Sequence, residues 1–210
     1  MCKLSSRLLV VTDRHQTNGR PLVPLLQRVL TAAGPAIQIR ERDLSAEDLV
    51  TLVREVQTVT APHRSQLLIN DRIDVALAMD GVGVHLRSNS LPVRIARKLL
   101  GAERLLGVSV HTSEEAVQAE SQGADYVILG PIYETPSKQS FGPPLGIHTL
   151  EKVCRLVDIP IIGIGGVTAA RASEMLGAGA FGVAVIRAIL GAADVESATH
   201  EFLDAMTPVP

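Results

Sequence analysis

Eight times along this chain a short run of apolar, often β-branched residues is followed by a longer stretch with helical spacing. The runs cover 8–12, 36–40, 67–70, 82–86, 106–110, 126–129, 160–164 and 182–186. Runs so short and so evenly apolar suit strands buried on both faces, the condition of a parallel sheet. The helical stretches cover 21–33, 72–79, 92–100, 113–122, 147–157, 168–176 and 193–205, with one more opening at Ser45. Local signals mark their ends: Pro21 near a start, Gly34 after an end, and a capping-box-like Ser45-Ala46-Glu47-Asp48. Eight strand–helix units without a long insertion predict a closed (β/α)8 barrel spanning 1–210 as a single α/β domain. The rival, an open doubly wound sheet, calls for a glycine-rich turn after the first strand. This chain has Asp13-Arg14-His15 there.

Composition agrees with that reading and excludes others. Hydrophobic residues make up 46% but aromatics only 2%, with no Trp, so the core must be built from Leu, Ile, Val and Ala. A net charge of −2 and so few rings give neither the electrostatic footprint nor the stacking platform of a nucleic-acid binder. No apolar run reaches membrane-spanning length, and the polar start lacks the apolar stretch of a signal peptide, so a cytoplasmic location is expected. Cys2 and Cys154 lie far apart and show no metal-ligand or disulfide spacing. Both read as free thiols, with Cys154 a buried filler.

In a barrel of this kind chemistry sits where strands end and loops begin. Gly163-Ile164-Gly165-Gly166-Val167-Thr168 follows the seventh strand, where backbone N–H groups and a helix start favour an anion. The eighth strand ends in Ile186-Arg187-Ala188, setting a guanidinium beside that pocket. The bland alternative is that the glycines only permit tight packing and Arg187 is a solvated charge. In Gln38-Ile39-Arg40-Glu41-Arg42 alternation puts Gln38 and Arg40 on one face, and a Gln and an Arg inside a barrel need a polar ligand or buried partners. Asn70-Asp71 ends the third strand, where Asp71 suits either a Mg2+ ion or the cap of the next helix. The loop 130–140 carries hydroxyls and Lys138 and could close over an anion. His85 and His111 stand at the ends of strands four and five as candidate proton-transfer groups or ordinary rim residues. His15, His63, His148 and His200 have no supporting neighbours in sequence, and no cluster suggests zinc.

Taken together, Val11-Thr12-Asp13, Gln38 to Arg42, Asn70 to Ala76, Gly83-Val84-His85-Leu86, Gly107 to His111, Gly123-Ala124-Asp125-Tyr126, Gly130 to Lys138 and Ile164-Gly165-Gly166 resemble the thiamine phosphate synthase/TenI family. The resemblance runs from Val10 to about Leu190 and implies a (β/α)8 barrel acting in thiamin biosynthesis. Synthases of the family join hydroxymethylpyrimidine diphosphate to thiazole phosphate and release diphosphate. The resemblance assigns Gln38, Arg40, Asn70, Ser109 and Lys138 to the pyrimidine diphosphate, with Arg40, Lys138 and Ser109 as catalytic residues. It assigns Asp71 to Mg2+ and Thr135, Ser137, Gly165 and Gly166 to the thiazole phosphate, with Ile186 and Arg187 beside it. The implied partners are phosphorylated pyrimidine and thiazole molecules, with no nucleic acid, no membrane and an oligomer left open.

The chain departs from the synthase pattern at several positions. Arg42 stands where Lys is usual, and Arg187 where Ser is common. Arg87-Ser88-Asn89-Ser90 replaces a Gly-Gln-Glu-Asp-like run, so Ser90 takes the place of a second metal-binding Asp. Asn89 could compensate through its carbonyl oxygen, or Arg87 could neutralise diphosphate instead. TenI-type thiazole tautomerases often show Ile-Arg-Glu-Arg, as here, but carry a catalytic His where this chain has Pro131. The synthase reading therefore leads. A tautomerase using His111 or His85, and a non-catalytic protein that binds thiazole phosphate or thiamine phosphate, are the alternatives.

Overall fold

A computed structural model describes residues 4–135 and 143–207. Eight parallel strands close on themselves in chain order, each paired with its neighbours and the eighth with the first. They are β1 (Leu8–Val11), β2 (Ala36–Ile39), β3 (Leu67–Asn70), β4 (Val82–Leu86), β5 (Leu106–Val110), β6 (Tyr126–Leu129), β7 (Ile161–Ile164) and β8 (Gly182–Val185). Every expected strand is present, and β3 to β6 have the expected bounds.

Around them lie α1 (Leu22–Ala33), α2 (Ala46–Thr60), α3 (Ile73–Leu77), α4 (Val93–Leu100), α5 (Ser113–Ser121), α6 (Gly146–Cys154), α7 (Ala169–Gly177), α8 (Arg187–Leu190) and α9 (Val195–Met206). Ser45 caps α2 as its sequence suggested, its Oγ accepting the Asp48 N–H at 3.1 Å. Gly34 ends α1 in the left-handed region, φ 59°, and its N–H returns to the Leu30 carbonyl. Two starts differ in detail. Thr112, not Ser113, caps α5, and Asp71 caps nothing, because Arg72 occupies the N-cap position of α3 without a side-chain bond. The short α8 was not anticipated; four residues give too little periodicity to read.

Two apolar layers follow from alternation along the strands. One face, with Leu8, Val10, Ile37, Ile39, Ile69, Val84, Val127, Leu129 and Val183, packs outward against the helices. The other fills the barrel with Leu9, Val11, Ala36, Leu68, Tyr126, Ile128, Ile162 and Ala184. The same inward parity carries Gln38, Asn70, His85 and Ser109 toward the C-terminal mouth. The apolar filling therefore gives way there to polar side chains. Cys154 is half-buried, and burial pushes its thiol up to about 11, as expected of an inert filler. Among the described residues no helix is long and apolar enough to cross a membrane.

Candidate functional site

The mouth is assembled from the ends of β2, β3, β4 and β5 on one side. Gln38 is 2% exposed, and its Nε2 donates to Asn70 Oδ1 at 3.3 Å across the β2–β3 pair. Its Oε1 is buried without a partner among the described residues. Leaving such an atom unpaired costs about 1–3 kcal/mol, so the fold holds an acceptor ready for a donor from elsewhere.

Arg40 follows β2 and is placed by a small polar assembly beneath it. Thr12 Oγ1 donates to the buried Glu41 carboxylate at 2.6 Å and accepts the Arg40 N–H at 2.9 Å. Glu41 also accepts the Arg14 N–H and pairs with the Arg14 guanidinium at 3.3 Å. Burial, and then the neighbouring Arg42, pull the Arg40 guanidinium below its usual value; the carboxylates of Asp13 and Glu41 oppose this in part, and Arg87 adds a smaller push downward. No hydrogen bond or ion pair from the Arg40 side chain is present among the described residues. A partly desolvated guanidinium without a hydrogen bond or ion pair among the described residues, set between the carboxylates of Asp13 and Glu41 and the cations Arg42 and Arg87, keeps its donors for an anion.

Asp71 leaves β3 in the left-handed region, φ 63°, unusual for a residue with a side chain. Its N–H donates to the His85 carbonyl at 2.9 Å, which turns the carboxylate toward the mouth. Oδ2 receives Arg87 at 2.5 Å, while Oδ1 is buried without a partner among the described residues. Beside the mouth, Asn70, Asp71, Arg42, Arg72, Arg87 and Glu41, with the apolar Ile39, Leu44 and Leu49, line a cavity of about 230 Å³; Gln38, Arg40 and Ser109 do not line it. A second cavity, about 270 Å³, opens at the other end of β7 around Cys154, Pro160 and Phe181. Among the described residues, Asp158 and Cys154 are the ionisable side chains that line it, so the charged cavity beside the mouth is the better candidate for a phosphorylated ligand.

His85 is fully buried rather than a rim residue. Burial, opposed by Asp71 and assisted by Arg40, holds its pKa down to about 3, so the ring is neutral at physiological pH. Nδ1 lies 3.0 Å from the Tyr126 hydroxyl and Nε2 2.9 Å from Ser109 Oγ. The register brings His85, Gly107 and Tyr126 into line across three strands. A Cβ on Gly107 would run into the Tyr126 ring, so the glycine makes room for that phenol. Among the described residues the buried Tyr126 hydroxyl has no other acceptor, so it donates to Nδ1. Nε2–H then donates to Ser109, and the Ser109 hydroxyl proton is left for a ligand. Both ring nitrogens are engaged, which makes His85 an orienting group rather than a proton-transfer group.

The opposite rim is built differently. Ile132 N–H donates to the Ile164 carbonyl and Tyr133 N–H to Gly165, at 2.8 and 3.1 Å. Gly165 and Gly166 have φ of 100° and 63°. A Cβ on Gly165 would lie 2.6 Å from Pro131 Cβ, and one on Gly166 would meet the Glu134 carbonyl. The tight-packing role of these glycines is therefore present. Their amide N–H groups make no loop hydrogen bond among the described residues. Tyr133 donates to Glu174 at 2.6 Å, and Arg171 lies 4.5 Å over its ring while bonding the Gly166 carbonyl. Ile186 is partly buried against the barrel filling, and Arg187 is exposed at the start of α8. His111 is exposed; its Nδ1 lies 2.6 Å from the Gly130 carbonyl, which fixes the proton on Nδ1.

Gln38, Arg40, Asn70, Asp71 and Ser109 thus stand at one end of the barrel, with Gly165, Gly166, Ile186 and Arg187 on other strands of the same end. Thr135 is half-buried at the edge of the described loop. Ser137 and Lys138 lie outside the described residues. Tyr126 was not singled out from sequence. Its signal was a lone aromatic with a polar tip inside a buried strand, which requires a partner. Among the described residues no group of three His, Cys, Asp or Glu side chains could hold a metal. His15 has a partner that its sequence neighbourhood did not show, Asp43 at 3.1 Å.

The family model described as thiamine monophosphate synthase matches residues 8–189. A thiamine-phosphate synthase of Roseiflexus castenholzii is 43% identical over 93% of this chain and 86% of its own length. A putative thiamine-phosphate synthase of Geobacter sulfurreducens is 41% identical over 99% and 98%. Among solved structures, a thiamine phosphate pyrophosphorylase from Pyrococcus furiosus superposes with a TM-score of 0.86 at 33% identity, covering 95% of this chain and 94% of that one.

Proposed function

The chain belongs to the thiamine monophosphate synthase family and is an enzyme of that kind, and from that premise we propose that its polar mouth joins hydroxymethylpyrimidine diphosphate to thiazole phosphate. In that reaction the carbon–oxygen bond to diphosphate breaks with its electron pair leaving on oxygen. The thiazole nitrogen then attacks the resulting pyrimidine carbocation. The protein's task is to stabilise the departing charge and hold the two heterocycles in line.

The observation that carries this reading is the set of groups on one rim that lack partners among the described residues. Arg40 is a partly desolvated cation whose side chain makes no hydrogen bond or ion pair among the described residues, which suits a phosphate oxygen. Gln38 Oε1 is an unpaired acceptor, fitted to a donor on the ligand. Ser109, oriented by His85 and Tyr126, offers a hydroxyl proton to the pyrimidine diphosphate. Arg42 would extend the positive rim, and Asn70 would hold Gln38 in place. Lys138 keeps its assignment to the diphosphate from the sequence alone, as does Ser137, with Thr135, to the thiazole phosphate. Gly165 and Gly166 would present backbone amides to that phosphate, with Ile186 and Arg187 alongside.

Asp71 fits a single-carboxylate magnesium site. Its Oδ1 is buried and has no partner among the described residues, and Mg2+ is commonly held by one or two carboxylates together with substrate phosphates. When bound, the ion would neutralise charge on the leaving diphosphate. Ser90 offers no second carboxylate.

The test is a coupled assay of diphosphate release with both substrates, with and without Mg2+. Release that requires both substrates supports the reading; no release from folded protein rejects it. One observation favours a tautomerase instead: His111, with Nδ1–H committed to Gly130, has Nε2 available as a base beside Pro131. Turnover of the thiazole carboxylate phosphate alone in chelator, lost on His111→Ala, would establish that alternative.

A further inference from the structure

Arg87 follows β4 and bonds Asp71 with one edge only. Its Nε and Nη2 both reach Asp71 Oδ2 at 2.5 Å. The Asp71 side chain is 15% exposed and that of Arg87 47%, so the pair stands at the rim with the guanidinium on the solvent side. The turn is closed by Ser90 N–H donating to the Arg87 carbonyl at 3.1 Å, which fixes the backbone that presents Arg87.

The charges lining this cavity divide unevenly. Arg72 is held by Asp74 at 2.6 Å. Glu41 is engaged by Thr12 and Arg14. Arg42 has no ion pair among the described residues. Asp71 is the remaining carboxylate lining the cavity, and half of it is taken by Arg87. The lining is thus richer in cations than in metal-binding oxygen. A guanidinium has five N–H donors, so Arg87 can keep Asp71 on one edge and offer Nη1 to a phosphate.

We infer that Arg87 is a diphosphate-binding residue, oriented by Asp71, that also competes with a metal ion for Asp71. The inference rests on the synthase reading and adds a consequence to it: this site binds diphosphate appreciably without metal. Positive charge that a second carboxylate would recruit through an ion is carried here by the chain itself.

Calorimetric titration with inorganic pyrophosphate in chelator, and separately with Mg2+ alone, tests this without turnover. The native protein should bind pyrophosphate in chelator. Arg87→Gln should weaken that binding tenfold or more, while Mg2+ alone binds severalfold more tightly because Asp71 is released. A structural role would not move the two affinities in opposite directions. Arg87→Lys, which keeps the charge but loses the fork, should fall between. No metal-free binding by the native protein, a loss under threefold in Arg87→Gln, or no gain in Mg2+ affinity overturns the inference. Metal-free binding through Arg87 without diphosphate release in the coupled assay would instead reject the synthase reading alone.

Discussion

Around β6 and β7 the loops are tied to one another, whereas around β2 and β3 of the same mouth buried polar atoms lack partners among the described residues. On the first side Ile132 and Tyr133 extend the pairing to β7, and Tyr133 is gripped by Glu174 and Arg171. On the second side Gln38 Oε1 and Asp71 Oδ1 are buried without partners among the described residues, and the Arg40 side chain makes no hydrogen bond or ion pair there. A fold tolerates unpaired buried groups at a cost, and it concentrates them where a ligand completes them. On the proposed reading the contrast separates two kinds of work: the tied rim holds its shape through its own bonds, and the β2–β4 rim awaits bonds from a ligand.

Substitutions on the two rims should therefore differ in kind. The largest effect is expected from Arg40→Ala on the β2–β4 rim. Steady-state kinetics should show kcat/KM falling on the order of 100-fold or more, while the melting temperature stays within a few degrees of the native protein. Equal activity would remove Arg40 from the site. Asp71→Ala should likewise lower activity far more than stability, since Asp71 caps no helix. On the tied rim, Gly165→Ala forces a side chain into a positive-φ position against Pro131. Urea unfolding should show a loss of about 1–3 kcal/mol; an unchanged midpoint would mean that the rim is not tied as described.

His85 gives a pH-dependent comparison. Its folded pKa, about 3, lies below the ordinary 6.5, so between those values the unfolded chain binds the extra proton. Its contribution is complete above 6.5 and is lost as pH falls toward 3. The slope from this residue is at most about 1.4 kcal/mol per pH unit. Unfolding measured from pH 7 to 4.5 should be less pH-dependent in His85→Gln than in the native protein, and identical slopes would place His85 in water. The smallest effect belongs to Tyr133→Phe, which removes a half-exposed hydrogen bond to Glu174. A stability loss under about 1 kcal/mol is expected.

The barrel was legible in the sequence because strand period and helix period alternate without interruption, and four strand bounds were read to the residue. The placement of Gln38 and Arg40 was legible for the same reason: alternation alone sets them on one face. The role of Asp125 was not, although it lies in a segment of family resemblance. It accepts the Arg97 guanidinium at 2.5 Å and the Leu106 N–H at 2.7 Å, tying β5 to β6 at the end of the barrel away from the mouth. The Tyr126–His85–Ser109 chain was hidden because it depends on register between three strands, which local pattern does not carry. Asp71 looked equally like a cap or a ligand; the structure removes the cap, because Arg72 holds the N-cap position of α3, and leaves the ligand role as a proposal.

The central claim is that the unpartnered groups of the β2–β4 rim are completed by the diphosphate end of the substrate. A crystal structure with diphosphate and Mg2+ bound tests it most directly. Phosphate oxygens within hydrogen-bonding distance of Arg40, with the ion on Asp71 Oδ1, are predicted. Diphosphate seated elsewhere, leaving Arg40 and Asp71 Oδ1 as they stand, would contradict it.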